Sequence, residues 1–457
     1  MKWFLLAYVI AALAPFIVVP LISRGKAKAP VPDFISCEGT RATILATGQE
    51  AFDARMNLIS NAEHSLDVGA FVFADDSTGS EIAAALLSAA DRGVHVRILL
   101  DGLSGRNALA FSNLGYALAD HENIEIRLYN PPNLLKPWAM NVRYHEKYII
   151  VDERILVLGG RNLSDDFLTP EGHPRYNYDM DVLVCSETPG ENGVAAALTL
   201  YFDTIWQEES KPAYLHAPFY RRDAVQELKT RYRQQHLNFC TLRPDVVEAC
   251  SWENQTHPVQ SYALMVNPIR TTAASPEVWD SLSALMRSAH ERVWIQTPYL
   301  VLDGRMWHDL EELAHSSVEN RVLTNSRAGG NNLIASSDML LRRRSLLRTG
   351  VEIFTFQGDA SMHTKTMLID RDISVFGSFN FDMRSAYIDT EVMLMIQSEG
   401  VNRQLEAHMQ ELHAQSLPMD PSAAVGDDAV PARALPFWKG LTICLLAPLI
   451  FLIHFLV

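Results

Sequence analysis

The chain predicts a duplicated α/β fold held between two apolar ends, and three features of its sequence predict it. Helical and strand-like periodicities alternate in two separate cycles. A His-x-Lys constellation occurs twice with the same internal spacing, and residues 3–22 and 437–457 are almost wholly apolar.

At the N-terminus, residues 3–22 are long enough to cross a bilayer, with Lys2 before them and Arg24, Lys26 and Lys28 after them. The run is longer than the apolar core of a usual signal peptide and no small-x-small site closes it, so residues 1–28 are expected to form an uncleaved anchor. Residues 437–457 form a second candidate span after a Pro/Ala/Asp-rich linker over 417–436, with His454 as its one strongly polar interruption.

Between the ends, residues 49–62 read as helix, 65–73 as strand, 79–92 as helix, and 94–100 and 123–129 as strands. The cycle returns as helices over 278–287, 306–315 and 333–348 interleaved with strands over 293–299, 320–325 and 351–356. Strands alternating with helices imply βαβ units and a parallel or mixed sheet covered by helices. The periodicity breaks between 235 and 260, which divides the body into domains over 36–250 and 258–416.

The formal net charge of −15 argues against broad attraction to nucleic acid or anionic lipid, although a local basic groove survives it. Of five cysteines, Cys444 lies in the terminal span, and Cys37, Cys185, Cys240 and Cys250 fit no familiar zinc spacing. Cys240 with Cys250 is the plausible local disulfide, and buried free thiols are the equal alternative.

Each domain contains one copy of the feature that carries chemistry. Residues 144–167 read YHEKYIIVDERILVLGGRNLSDDF, and residues 362–385 read MHTKTMLIDRDISVFGSFNFDMRS. From His145 and from His363 alike, an Asp follows after seven residues, a Gly after fourteen and an Asn after seventeen. On a strand, residues two apart share a face, so His145 projects with Lys147, and His363 with Lys365. A lone His-x-Lys on an apolar strand is usually a structural histidine beside a snorkelling lysine; two copies agreeing at five positions are not. Gly159-Gly160 lets the backbone come close to whatever sits beside Asn162.

At these residues the chain resembles the phospholipase D superfamily, whose signature is HxKxxxxD followed by G[GS]xN, present twice. The likeness runs from about residue 51 to about 398, and GGRN, GSFNFDMRS and the LTNS of residues 323–326 are most similar to bacterial cardiolipin synthases. The resemblance implies two phospholipase D-type α/β/α sandwich domains with the active site at their interface. It implies His145 as a nucleophile forming a phosphohistidine and His363 as the acid that later activates the acceptor hydroxyl; the residues alone do not decide which histidine attacks. Lys147, Lys365, Asn162 and Asn380 would bind phosphate, with Ser378 a weaker candidate. An acid downstream of each motif would orient an imidazole, and the matching positions are Asp179 and Glu391, with Asp181 the rival of Asp179. Asp152 and Asp370 would pin their turns. No metal and no cofactor is expected, since imidazolium and ammonium groups already supply positive charge.

Two further stretches stand outside the motifs. Arg342, Arg343, Arg344 and Arg348 read as a solvated helix face that also favours the helix C-terminus, with lipid headgroups as the alternative partner. Residues 131–142 (PPNLLKPWAMNV) either cap a core or dip into a membrane.

The expected activity is phosphatidyl transfer, making cardiolipin from phosphatidylglycerol at a membrane. Hydrolysis by the same mechanism is the first alternative, and a phosphodiesterase or nuclease is disfavoured by charge and by the apolar ends. A scaffold with a decayed site is disfavoured because both copies keep His, Lys, Asp and Asn. No nucleic acid and no obligate protein partner is expected. The basic flanks, including Arg433 and Lys439, place the catalytic body on the cytoplasmic face of a bacterial inner membrane, with the periplasmic face as the alternative.

Overall fold

A computed structural model describes residues 2–23, 28–109, 112–186, 193–213, 217–249, 252–420, 422 and 430–456. Among the described residues, each main sheet has nine strands, of which the two outermost are short edge strands. Seven strands form the body of the first: β1 (Thr40–Leu45), β2 (Ser65–Ala70), β3 (His95–Asp101), β4 (Ile124–Tyr129), β5 (Lys147–Val151), β6 (Ile155–Gly159) and β7 (Asp181–Ser186). Seven form the body of the second: β8 (Ser261–Val266), β9 (Arg292–Gln296), β10 (Glu319–Asn325), β11 (Glu352–Phe356), β12 (Thr366–Ile369), β13 (Ile373–Gly377) and β14 (Val392–Gln397). The first sheet runs β4-β3-β2-β5-β6-β7-β1 and the second runs β11-β10-β9-β12-β13-β14-β8, the same order strand for strand. In each, the first three strands are parallel and the rest antiparallel. The mixed sheet follows from the sequence, since helical crossovers precede the parallel strands and a three-residue turn joins each His-x-Lys strand to its return.

The two sheets exchange their outer edges. Ile35–Ser36 pairs with β8 of the second sheet, and His257–Pro258 pairs with β1 of the first. One buried apolar cluster joins them, taking Leu156, Leu158, Val182 and Val184 from the first and Val375, Phe376, Leu394 and Ile396 from the second. Burial on both faces explains why β7 and β14 read as continuous apolar runs without alternation.

The longer helices are α1 (Lys2–Ser23), α2 (Gly48–Asn61), α3 (Ser77–Asp91), α4 (Val194–Glu208), α5 (Arg222–Leu242), α6 (Glu277–Ser288), α7 (Gly304–His315), α8 (Leu333–Arg348), α9 (Glu399–His413) and α10 (Phe437–Ile453). The helix α2 begins on a capping box in which Thr47 and Glu50 satisfy each other's backbone N–H groups.

Several expectations need correction. The break expected from residue 235 falls inside α5, whose Val225, Leu228 and Tyr232 are buried, so the crossing segment begins only after Leu242. Leu417 belongs to a short strand, Ser416–Pro418, on the edge of β11 rather than to a linker. Cys240 carries a free thiol against His236; Cys250, Arg24 and Lys26 lie outside the described residues.

At the apolar ends, α1 holds a stretch, Leu5–Ser23, long and apolar enough to cross a membrane. The C-terminal helix α10 is shorter and lies along α8, with Ile443, Ala447 and Ile450 buried and Phe437, Trp438, Leu441, Leu445 and Leu449 exposed. Polar contacts hold both its ends: Lys439 donates to the carbonyls of Ala328 and Gly330, and His454 Nδ1 lies 3.0 Å from buried Asp338. Protein, not an interface, therefore satisfies His454. The loop over 131–142 caps no core at its tip, where Leu134 and Leu135 are 73% and 86% exposed beside α1, whose Tyr8 hydroxyl donates to Leu134 O. Of the arginine cluster, Arg342 pairs with Asp338 and Arg343 donates to Met419 O, while Arg344 and Arg348 are exposed, which fits the solvated-face reading.

Candidate active site

The His-x-Lys strands are held by their turns. Asp152 accepts from the backbone N–H groups of Glu63, His64 and Ser65, tying the β5–β6 turn to the start of β2. Asp370 does the same for the β12–β13 turn, accepting from His290, Glu291 and Arg292 at the start of β9. Asp152 and Asp370 both sit at positive φ, 51° and 49°, a conformation that aspartate tolerates better than most residues. We expect Asp152→Ala to lower stability by about 2–3 kcal/mol, the scale of several exposed charge-assisted hydrogen bonds, read as a reduced denaturant midpoint. An unchanged midpoint would remove the aspartate from the structural frame.

The two halves meet through a reciprocal register. Tyr144 bridges Thr390, and Met362 pairs with Tyr178, so the residue before each histidine lies beside the residue before an acid of the other half. His145 Nδ1 therefore lies 2.9 Å from Glu391 Oε1, and His363 Nδ1 lies 2.6 Å from Asp179 Oδ2. Both acids expected from the sequence hold an imidazole, each that of the opposite motif. Asp181, the rival, instead pairs with buried Arg55 at 2.9 Å and with Arg161 at 3.5 Å. Glycines permit this approach: a Cβ on Gly160 would stand 2.3 Å from Asp179 Oδ1, and one on Gly159 would stand 2.1 Å from Asp181 Oδ1.

Each imidazole has an aromatic ring and a lysine beside it. Phe71 packs on His145 and Phe167 on His363, with ring centroids 5.1 and 5.0 Å apart. Lys147 and Lys365 are buried, and each ammonium donates to the carbonyl of its own histidine. Lys365 Nζ also lies 2.6 Å from His363 Nδ1, but a nitrogen that donates to Asp179 cannot accept from the lysine as well. Of the expected phosphate ligands, Asn162 Oδ1 accepts from Val72 N, whereas the buried Asn380 Oδ1 has no partner among the described residues. Ser378 does not face the cleft; its hydroxyl donates to Glu391 Oε2.

Beneath this symmetry the electrostatics differ. Burial opposes ionisation of Asp179, yet Lys365, His363 and Arg161 together hold its carboxyl below the usual range. Burial pushes Glu391 up to about 7 against the pull of Lys147 and of two serine hydroxyls, and Glu146, Asp382 and Asp389 are likewise pushed up. Burial also brings Lys147 down to about 7 and Lys365 to about 8. Burial and the two ammoniums hold His145 well below its ordinary value, and His363 falls to about 4.

Sequence reading missed the residues that differ between the copies. Arg161 is fully buried and donates to the carbonyls of Leu45, Ala46 and Asp179; Phe379 takes its place in the second motif. Ser385, whose hydroxyl lies 2.6 Å from Glu391 Oε1, corresponds to Phe167 in the first. Neither lies on a repeated position, so spacing carried no signal for them. Asn325 in LTNS accepts from Met362 N and donates to Met362 O, fixing the backbone just before His363.

Two crossed imidazole–carboxylate pairs with two buried lysines, on paired mixed sheets, define a phospholipase D-like protein. The chain matches the family described as "Cardiolipin synthase, PLD-like domain" over residues 56–206 and 282–413, and it belongs to that family. It is 29% identical to cardiolipin synthase C of Escherichia coli (strain K12) over 388 residues, 77% of this chain and 80% of that one. It is 26% identical to cardiolipin synthase A of Pseudomonas aeruginosa over 390 residues, 83% of this chain and 68% of that one. In three dimensions it is similar to the phosphatidylserine synthase of Haemophilus influenzae Rd KW20, with a TM-score of 0.65 at 14% identity, covering 97% of this chain and 100% of that one; that likeness concerns the fold.

Proposed function

We propose that the chain is a phosphatidyltransferase that makes cardiolipin from two molecules of phosphatidylglycerol through a phosphohistidine. The observation that carries the reading is the pair of crossed dyads, which leaves Nε2 of each imidazole free for phosphorus or a proton. Cardiolipin synthases among its relatives support the choice of substrate. On this reading Nε2 of His145 attacks phosphorus, the glycerol oxygen leaves with the proton from Nε2 of His363, and Lys147, Lys365, Asn162 and Asn380 hold the phosphoryl oxygens as charge builds. In the second step an acceptor hydroxyl returns its proton to His363 and bonds to phosphorus as the phosphorus–nitrogen bond breaks.

The electrostatic difference between the dyads supports this assignment of roles. Burial and the neighbouring ammoniums favour the neutral form of both imidazoles, as a nucleophile requires. The negative phosphodiester offsets the two ammoniums, and the imidazole facing the ionised Asp179 then gains the proton more readily than the one facing Glu391, whose carboxyl is already half protonated near neutral pH.

The duplicated domains share this site, and we infer that α1 anchors them in a bilayer that the exposed faces of α10 and of the loop around Leu134 also contact. The basic flanks support the cytoplasmic side. The test is incubation of the purified chain with phosphatidylglycerol, with and without ethanol, in EDTA. Without ethanol, cardiolipin and glycerol are expected; with it, phosphatidylethanol forms at the expense of cardiolipin while glycerol is still released, at a rate indifferent to chelation because side chains supply the positive charge. Phosphatidic acid as sole product would make the chain a hydrolase, and loss of rate restored by Mg²⁺ or Zn²⁺ would require a different mechanism.

A further inference from the structure

A cavity of about 310 Å³ is lined by His363, and His145 is not among its lining residues. Its size is at the lower end for small-molecule pockets, suited to a headgroup rather than an acyl chain. Its lining is mixed: Phe167, Ala335 and Met339 are apolar, and Tyr299, Asn331, Asn332 and Ser336 are polar. Asn331 donates one amide proton to Asn177 Oδ1 at 2.9 Å, a bond that crosses between the halves, and its carbonyl oxygen has no partner among the described residues.

The lining chemistry discriminates among ligands. No lysine or arginine lines the cavity among the described residues. The N-terminus of α8 points there, but Asn332 Oδ1 already accepts from the N–H groups of Ile334 and Ala335, so the helix offers no free pair of donors for a phosphate. The lining carboxylate, Asp166, is committed to Arg175 at 2.6 Å, so no bare negative charge awaits an ammonium. What remains are neutral groups that both donate and accept, amides and a phenol, and hydroxyls pair with both.

We propose that this cavity is the acceptor subsite and that it takes an uncharged polyol headgroup, seating one hydroxyl at Nε2 of His363. The carbon face of the polyol lies on Phe167 and Met339, and its other hydroxyls bond to Asn331 and Tyr299. The reacting hydroxyl gives its proton to His363, and its oxygen bonds to phosphorus as the bond to His145 breaks. The inference rests on the phosphatidyltransferase reading and adds to it which residues choose the acceptor.

The experiment supplies the full chain, in mixed micelles of phosphatidylglycerol, with isotope-labelled glycerol competing against ethanol in one arm and against ethanolamine in a second. It reads the ratio of labelled phosphatidylglycerol to phosphatidylethanol. A site built to bond hydroxyls loses at least about ten-fold in discrimination when a bonding group is removed, so Asn331→Leu is expected to lower the ratio by that factor or more. Asn331→Asp, nearly isosteric, is expected to raise transfer to ethanolamine relative to glycerol by a similar factor, because it places an unpaired carboxylate in the cavity. Ratios within two-fold of wild type in both variants, or equal loss of all transfers, overturn the subsite. A wild-type chain that leaves phosphatidylglycerol intact overturns the phosphatidyltransferase reading itself, an outcome distinct from cardiolipin made with unchanged ratios.

Discussion

His145→Ala and His363→Ala are each expected to reduce phosphatidyl transfer by roughly three to six orders of magnitude, with the double replacement little worse than either, because the two imidazoles act as one unit. Their roles separate when the leaving group needs no acid. With a phosphodiester of 4-nitrophenol, the His363→Ala protein still forms a phosphoenzyme, which then persists because no base activates the acceptor. The His145→Ala protein forms none. Mass spectrometry of the quenched protein reads both outcomes, and a phosphoenzyme in the His145→Ala protein would move the nucleophile to the other motif. Both rings are only partly buried, with side chains 13% and 22% exposed, and neither replacement removes a large part of the core, so native melting behaviour is expected alongside the loss.

Much of this was legible before any coordinates, for identifiable reasons. The repeated spacings located both His-x-Lys hairpins, and the alternating periods located α2, α3, α6, α7 and α8 within a few residues of their ends. Asp179 and Glu391 were found by likeness to a known family, but their crossed pairing was not legible. It depends on Tyr144 meeting Thr390 and Met362 meeting Tyr178, contacts between residues 246 and 184 positions apart, about which local periodicity says nothing. Ser378 sits on the G[GS] motif, yet Glu391 takes its hydroxyl, because β13 and β14 run side by side there. The C-terminal apolar run looked like a second span by composition alone. Its contact with α8 and its two polar clamps are tertiary facts.

Asp179→Asn is expected to cost about 10²–10⁴-fold in rate, the scale seen when an orienting carboxylate becomes an amide, whereas Glu391→Gln costs less and in a pH-dependent way. Both oxygens of Asp179 accept from N–H donors: Oδ1 from Met180 N at 2.8 Å, and Oδ2 from His363. An amide must turn its NH₂ toward one of them. Either the backbone bond is lost or His363 is driven to the wrong tautomer, and Lys365 and Arg161 lose their compensating charge. Glu391 differs, because Oε1 faces His145 and the Ser385 hydroxyl, while Oε2 meets only the hydroxyl of Ser378. Ser378 can accept from an NH₂ and turn its own proton to Val392 O, 3.4 Å away, so glutamine fits without opposing two donors. The sign of the pH effect follows. Glu391, raised to about 7, is increasingly protonated below that pH in the wild type, and glutamine imitates the protonated form. The ratio of Glu391→Gln to wild-type rate therefore approaches one as pH falls from 8 to 6 and declines as pH rises. The ratio for Asp179→Asn stays low throughout, because Asp179 remains ionised over that range. Parallel pH profiles with equal losses would show that the two carboxylates do the same work, and the electrostatic difference between the dyads would then have no part in choosing which histidine attacks.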